Sequence, residues 1–442
     1  MANTYLTHSA SGGSRTTWTI SAWVKRSKLT SGTATIFNGY VDGSNESQLL
    51  FNSDYIEFYD WSSNSRTGTL FTNRKFRDTS AWYHIVAVWD TTNSTAGNRM
   101  RLYVNGVEET SFSTDTQPSP SQNSSLGNGS YAQQIGLYAS NAGFYFDGLM
   151  SYVAFVDGTA ELPTIFGETD SVTGQWKIKT DITPSVAWGT NGFLILKNGN
   201  SLTDESTNTN NFTLGAGTLT NTLDCPDNVF ATLNPLSGSL SNNTLSNGNN
   251  TITVTSGWRW RPSTIAPSSG KYYAEFKPTS GGSIYTVAGV TPQVSWKDID
   301  GEVIGSGANS ENKSVGYQQD GQVKKGNSTQ YTGSSYTTND IIGVALDLDN
   351  HKVYFSKNGT YQNSGDPTSG ATGTGAVALD STLSDWSISI SVAGSTTSAN
   401  YGNGYFGTTA VSSAGTPGST PGTFEYDVPS GYQPLTTKGL NA

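Results

Sequence analysis

The residue types able to do chemistry fall into a few stretches, and most of them fail on spacing. A retaining glycosidase needs two carboxylates about 5 Å apart on one strand face, as a Glu-x-Asp-x-x-Glu strand would supply. Asp54 to Asn64, DYIEFYDWSSN, carries Glu57-Phe58-Tyr59-Asp60, which does not match, and no other strand offers that spacing. A nucleophilic triad needs serine, histidine and acid in a defined constellation. His84 and Asp90 are of the right types. However, His84 lies in an apolar run between Tyr83 and Ile85, and the chain has no Gly-x-Ser-x-Gly elbow. Strand alternation puts His84 either in the core with a hydrogen-bond partner or on an outer face. No catalytic residue and no enzymatic activity are expected.

Metal chemistry is equally thin. Oxygen-rich acidic turns suit calcium, and two exist: WKDIDGE, Trp296 to Glu302, and DLDN, Asp347 to Asn350. Neither has the EF-hand pattern of Gly at six and Glu at twelve. Asp347 and Asp349 stand at a strand end, where Asp is ordinary turn chemistry, and Asp147 in YFDG reads the same way. Three histidines (His8, His84, His351) and one cysteine, Cys225, leave few transition-metal options and no intrachain disulfide. No cofactor is expected. Calcium has no motif behind it, and metal content stays open.

Recognition has better candidates. In Asp54 to Asn64, Tyr55, Tyr59 and Trp61 share one parity, and Ile56 and Phe58 the other. An outward Tyr/Trp row could stack on sugar rings through its π faces. Alternatively the larger aromatics form the core face, since such side chains are mostly buried. Tyr55, Tyr59 and Trp61 are the candidate glycan-binding residues. In GWRWRP, Trp258, Arg259, Trp260 and Arg261 make either a cation–π stack or a strand with alternating Trp and Arg faces.

The elements that must position these residues are strands. Met100, Leu102 and Val104 alternate with Arg99, Arg101 and Tyr103; Ile388, Ile390 and Val392 alternate with serines. That period of two marks strands with one buried face. Helix is confined to short turns, as around Leu162 to Phe166. One supersecondary unit occurs twice, as His84 to Gly106 and as Ile341 to Gly359. Each copy has an apolar strand ending in Asp, a polar turn, an alternating strand and then Asn-Gly, the strongest short hairpin signal. Ser237 to Asn250 reads as a surface loop, and Pro429 to Leu435 as an extended strand returning to the second sheet system.

Composition narrows the partners. The 442 residues are 11% aromatic, too many for a disordered polar chain. A net charge of −10 argues against non-specific nucleic-acid binding. No apolar run is long enough to span a membrane, and the N-terminus has no apolar h-region, so no secretory signal is expected. The expected fold class is all-β, two tandem antiparallel β-sandwiches, over residues 1–220 and 221–442.

Particular phrases carry a family resemblance. TISAWVKRSKL (Thr19 to Leu29), WYHIVAVWD (Trp82 to Asp90), MRLYVNG (Met100 to Gly106) and YFDGLMSYVAFVDG (Tyr145 to Gly158) resemble concanavalin A-like, laminin G-type lectin domains of jelly-roll build. SGKYYAEF (Ser269 to Phe276), IIGVALDLDNHKVYFSKNG and ANYGNGYF (Ala399 to Phe406) resemble a SPRY domain. The tandem order, with FGETDSVTGQWKIK and FATLNPL between, is similar to virion proteins of marine tailed bacteriophages. The resemblance implies a virion surface protein with an adhesive role: a tail fibre or short tail appendage binding host surface glycan, or alternatively a capsid-decorating or head-fibre protein. A polysaccharide-degrading virion enzyme is the remote third case. Implied partners are other virion proteins and a host surface glycan or protein, with no nucleic acid and no membrane insertion. Virion symmetry implies a homo-oligomer, with a trimer as the leading case, and the implied location is the virion, assembled in the host cytoplasm.

Overall fold

Side-chain alternation becomes sheet nearly throughout the computed structural model, which describes residues 3–29, 32–139, 143–239, 241–280, 285–293, 303–306 and 313–441. The chain divides into two units, Met1–Asn221 and Thr222–Ala442. In the first, the strands in chain order are β1 (Tyr5–Ser11), β2 (Thr17–Arg26), β3 (Thr33–Asp42), β4 (Asn45–Asn52), β5 (Tyr55–Ser62), β6 (Ser65–Thr72), β7 (Trp82–Asp90), β8 (Met100–Val104), β9 (Val107–Glu108), β10 (Phe112–Thr116), β11 (Ser130–Ile135), β12 (Gly148–Asp157), β13 (Gly167–Thr169), β14 (Trp176–Ile178), β15 (Phe193–Ile195) and β16 (Thr213–Ala216). They form an eight-stranded sheet, β10-β6-β5-β4-β3-β11-β1-β16, and a six-stranded sheet, β15-β12-β2-β7-β8-β9, with β13 and β14 as a separate hairpin.

Apolar faces of the two sheets meet in one core. The eight-stranded sheet contributes Leu49, Phe51, Ile56 and Phe58; the six-stranded sheet contributes Ile20, Ile85, Ala87 and Leu102. Trp18 and Trp89 stack there with centroids 6.1 Å apart. Their polar edges are satisfied: Trp18 Nε1 donates to Ser124 Oγ at 3.1 Å and Trp89 Nε1 to the Arg15 carbonyl at 3.2 Å.

The second unit repeats the plan. A nine-stranded sheet runs through Lys271–Ser280, Ile342–Asp347 and Lys352–Lys357, and a six-stranded sheet through Tyr285–Pro292 and Trp386–Ala393. Phe276, Val344, Ile388 and Tyr401 are among the residues filling the space between. Each unit is therefore a β-sandwich, and the chain is all-β. Pro163–Ile165 is a single 3-10 turn, where a turn of helix was expected. Gln433–Pro434 returns as a strand parallel to Tyr272 and Tyr273.

One expectation is corrected. Ser237 to Asn250 is not simply a surface loop, because Asn243–Ser246 pairs antiparallel with Thr251–Val254. The turn between them holds Asn247, Gly248 and Asn249 at positive φ, the conformation Asn and Gly tolerate best.

Candidate functional site

Strand β5 shows which way the aromatic row points. Ile56 and Phe58 join the core, so Tyr55, Glu57, Tyr59 and Trp61 lie on the outer face of the eight-stranded sheet. Tyr55 and Trp61 stay partly exposed, whereas Tyr59 is only 4% exposed. The Arg66 guanidinium sits 4.2 Å over its ring, and its hydroxyl donates to Glu46 Oε1 at 3.3 Å. Burial and the nearby Glu46 push that hydroxyl far above the usual phenol range. Tyr59 is thus a covered part of this face, while Tyr55, packed on Phe71 at 5.4 Å, and Trp61 retain surface for stacking.

The two carboxylates of the stretch separate. Glu57 pairs with Arg66 on the outer face and accepts from Asn52 Nδ2 at 3.0 Å. Asp60 turns to the other face and accepts from Ser47 Oγ and Thr67 Oγ1 (both 2.5 Å), Ser125 N (2.8 Å) and Ser62 Oγ (3.0 Å). Burial raises its pKa despite those donors.

A second row on the same outer face escaped the sequence reading. Register places Gln134 opposite Asn38, Asn38 opposite Gln48, and Gln48 opposite Tyr59. This line crosses β11, β3, β4 and β5. Asn38 and Gln48 are 0% and 1% exposed. Neither amide's oxygen or nitrogen, nor the Gln134 carbonyl oxygen, has a hydrogen-bond partner among the described residues. In sequence they look like ordinary solvated positions of a half-buried strand.

His84 is a core group of the six-stranded sheet's far side. Trp176 Nε1 donates to its Nδ1 at 2.9 Å, which leaves Nε2–H to donate to Ser21 Oγ at 2.8 Å. Its ring is stacked with Trp23 at 4.6 Å and Trp176 at 5.9 Å. Burial lowers its pKa to about 3. Asp90 instead accepts from Thr92 Oγ1 at 2.5 Å, so the imagined triad is not assembled.

The acidic turns divide likewise. Asp347 accepts from Asn350 N at 3.0 Å and Nδ2 at 2.8 Å, and pairs with Lys271 Nζ at 3.1 Å; Asp349 accepts from Gly270 N at 2.8 Å. These oxygens already face protein donors. WKDIDGE lies outside the described residues, apart from which no group of three or more His, Cys, Asp or Glu could hold a metal ion among the described residues. Trp258–Arg261 is a strand. Arg259 donates to the Ser241 and Trp258 carbonyls, and Arg261 to the Asn243 side-chain oxygen and to the carbonyls of Asn234, Pro235 and Ser237, so both guanidinium groups are engaged within the second unit.

Known families bear on both halves. Residues 1–165 match the family model of the concanavalin A-like lectin/glucanases superfamily, and residues 272–377 match that of the SPRY domain. The two matches make the chain similar to a concanavalin A-like domain followed by a SPRY domain. Among solved structures it is similar to the SPRY domain of human HERC1 (19% identity over 38% of this chain and 96% of that one, TM-score 0.30). It is also similar to the TRIM65 PSpry domain (15%, 38% and 91%, 0.28) and to the heptameric SAP-like pentraxin of Limulus polyphemus (14%, 50% and 91%, 0.31). No curated protein matches the chain.

The second unit has its own buried acid. On Lys271–Ser280, Tyr272, Ala274 and Phe276 face the core, while Tyr273 and Glu275 face Phe424, Tyr426 and Tyr432. Glu275 accepts from the backbone N–H groups of Glu425 and Tyr426, both at 2.9 Å, and from the Tyr273 hydroxyl at 3.2 Å. Burial outweighs these donors and raises its pKa to about 7.

Proposed function

We propose that this chain is a bacteriophage virion surface protein that holds the particle to a host-surface glycan, as part of a tail fibre or short tail appendage. The observation that carries the glycan reading is the outward Tyr55 and Trp61 on the sheet's solvent side, flanked by the Glu57–Arg66 pair. Aromatic faces bind the C–H faces of sugars, and charged groups beside them bind hydroxyls. The concanavalin A-like and SPRY folds are consistent with carbohydrate or protein binding. The virion assignment rests on the resemblance of the tandem order and of its connecting phrases. The role is recognition without catalysis, in a homo-oligomer with other virion proteins as partners and the SPRY domain as the protein-binding half.

The test is binding of fluorescently labelled protein to intact cells of a candidate host, with and without a chelator. Saturable binding is expected, weakened about tenfold or more by Trp61→Ala together with Tyr55→Ala. Loss on chelation would assign a metal to the site. No binding, at concentrations where multivalent attachment shows, would favour the capsid-decorating role instead.

A further inference from the structure

The amide row has no structural explanation in its own surroundings. Leaving a buried amide without partners is costly, and folded proteins keep such groups few. Here two adjacent amides and the carbonyl of a third are left so on one sheet face, among the described residues. A tyrosine lies near this face. Tyr138, just after β11, stands close enough to Tyr59 on β5 and Glu46 on β4 for each to shift its hydroxyl's pKa. Strands β3 and β4 lie between β11 and β5. Phe144 is stacked beside Tyr138 at 5.8 Å.

We propose that Asn38, Gln48 and Gln134 form a sugar subsite, filled in the free protein by the Tyr138 side chain, that takes an uncharged, hydroxyl-rich pyranose unit. This rests on the glycan-binding reading above and names the ligand class. A tyrosine ring and a pyranose are similar in span. Each amide offers one acceptor oxygen and two N–H donors, the complement of neighbouring hydroxyls that donate and accept. Charge selects the class. The nearby cation Arg66 is paired with Glu57, and the carboxylate of Glu46 stands beside the row, so a uronate or sulfate would meet a negative group. When Tyr138 swings away, the Tyr59 hydroxyl and Glu46 join the amides as sugar contacts.

The experiment uses the full chain and calorimetric titration with three neutral polysaccharides (mannan, dextran and laminarin) and with alginate as the anionic probe. Tyr138→Ala is expected to bind at least one neutral probe tenfold or more tighter than the unsubstituted chain, with no gain for alginate. Adding Gln48→Met or Asn38→Leu to Tyr138→Ala should abolish that gain. Circular dichroism checks each fold, and Gln48→Met, close to glutamine in volume, decides alone if Asn38→Leu unfolds. Equal affinities with and without Tyr138, or a gain that survives loss of the amides, would overturn the subsite. A chain that attaches to host cells yet gains nothing from Tyr138→Ala loses the subsite and keeps the adhesive reading. A gain in a chain that does not attach supports the subsite and removes the adhesive reading.

Discussion

At the scale of single residues, His84 shows what composition conceals. A histidine in an apolar strand can be core or surface. The fold decides by bringing Trp176, from a distant hairpin, onto Nδ1 and by placing Ser21 at Nε2. The Trp176 contact requires an unprotonated Nδ1 and so the neutral ring, the Ser21 contact fixes its Nε2–H tautomer, and burial disfavours the charged form. Between pH 6.5 and about 3 the unfolded chain takes up a proton at this residue that the folded chain refuses. Stability from His84 is therefore full above 6.5 and falls as pH drops, by about 1.4 kcal/mol per pH unit. Asp60, whose pKa is raised by burial, pulls the other way. The imidazole's share is read by comparing the unsubstituted chain with His84→Gln in urea titrations at pH 7 and pH 5. The variant should be less stable at pH 7 and lose less on acidification. An identical loss in both chains would remove His84 from the acid response.

At the scale of elements, the two Asn-Gly hairpins were legible and their closure was not. Asn105 takes positive φ, donates its N–H to the His84 carbonyl at 2.8 Å and accepts the His84 N–H on Oδ1 at 2.8 Å. Asn358 does the same with Ile341, again at 2.8 Å both ways. The repeated phrase thus encodes one clasp, used in both sandwiches. The following glycines, at φ 79° in both cases, are backed by rings arriving from far along the chain: Trp176 on Gly106 and Tyr426 on Gly359. Nothing local in the sequence announces those rings, just as nothing distinguishes Asn38 and Gln48 from solvated strand positions. Side-chain parity could be read from Ile56 and Phe58, but not that Arg66 would cover Tyr59 from the next strand. Gly106→Ala and Gly359→Ala should each cost about 1–3 kcal/mol in backbone strain, before the displacement of the ring. Melting temperature should fall by about 2–4 °C per kcal/mol for units of this size. Gly97→Ala, where an added Cβ meets nothing within 4 Å, serves as the control. Melting of the first two variants at the control's temperature would show that the rings do not brace these turns.

At the scale of the whole molecule, low charge density concentrates the pH response in a few buried groups, and the two units carry opposite ones. Charged residues are 13% of the chain. In the first unit His84 must be neutral and is weakened by acid. In the second, Glu275 sits under Glu425 and Tyr426 with its pKa raised from 4.5 to about 7. Between those values the folded chain keeps a proton that the unfolded chain releases. Its contribution is therefore full below 4.5 and declines as pH rises towards 7, by about 1.4 kcal/mol per unit. Asp340, Asp366, Asp380 and Asp427, whose values are lowered by their hydrogen bonds, act below pH 4 and leave this window alone. Calorimetry of the whole chain at pH 5 and pH 7 should show two transitions moving in opposite directions. The one lowered by Gly106→Ala should rise with pH, and the one lowered by Gly359→Ala should fall. Glu275→Gln should flatten the second without reversing the first. Two transitions that shift the same way would mean that His84 does not govern the first unit, whose carboxyls raised by burial, Asp60, Asp147 and Glu161, pull against it.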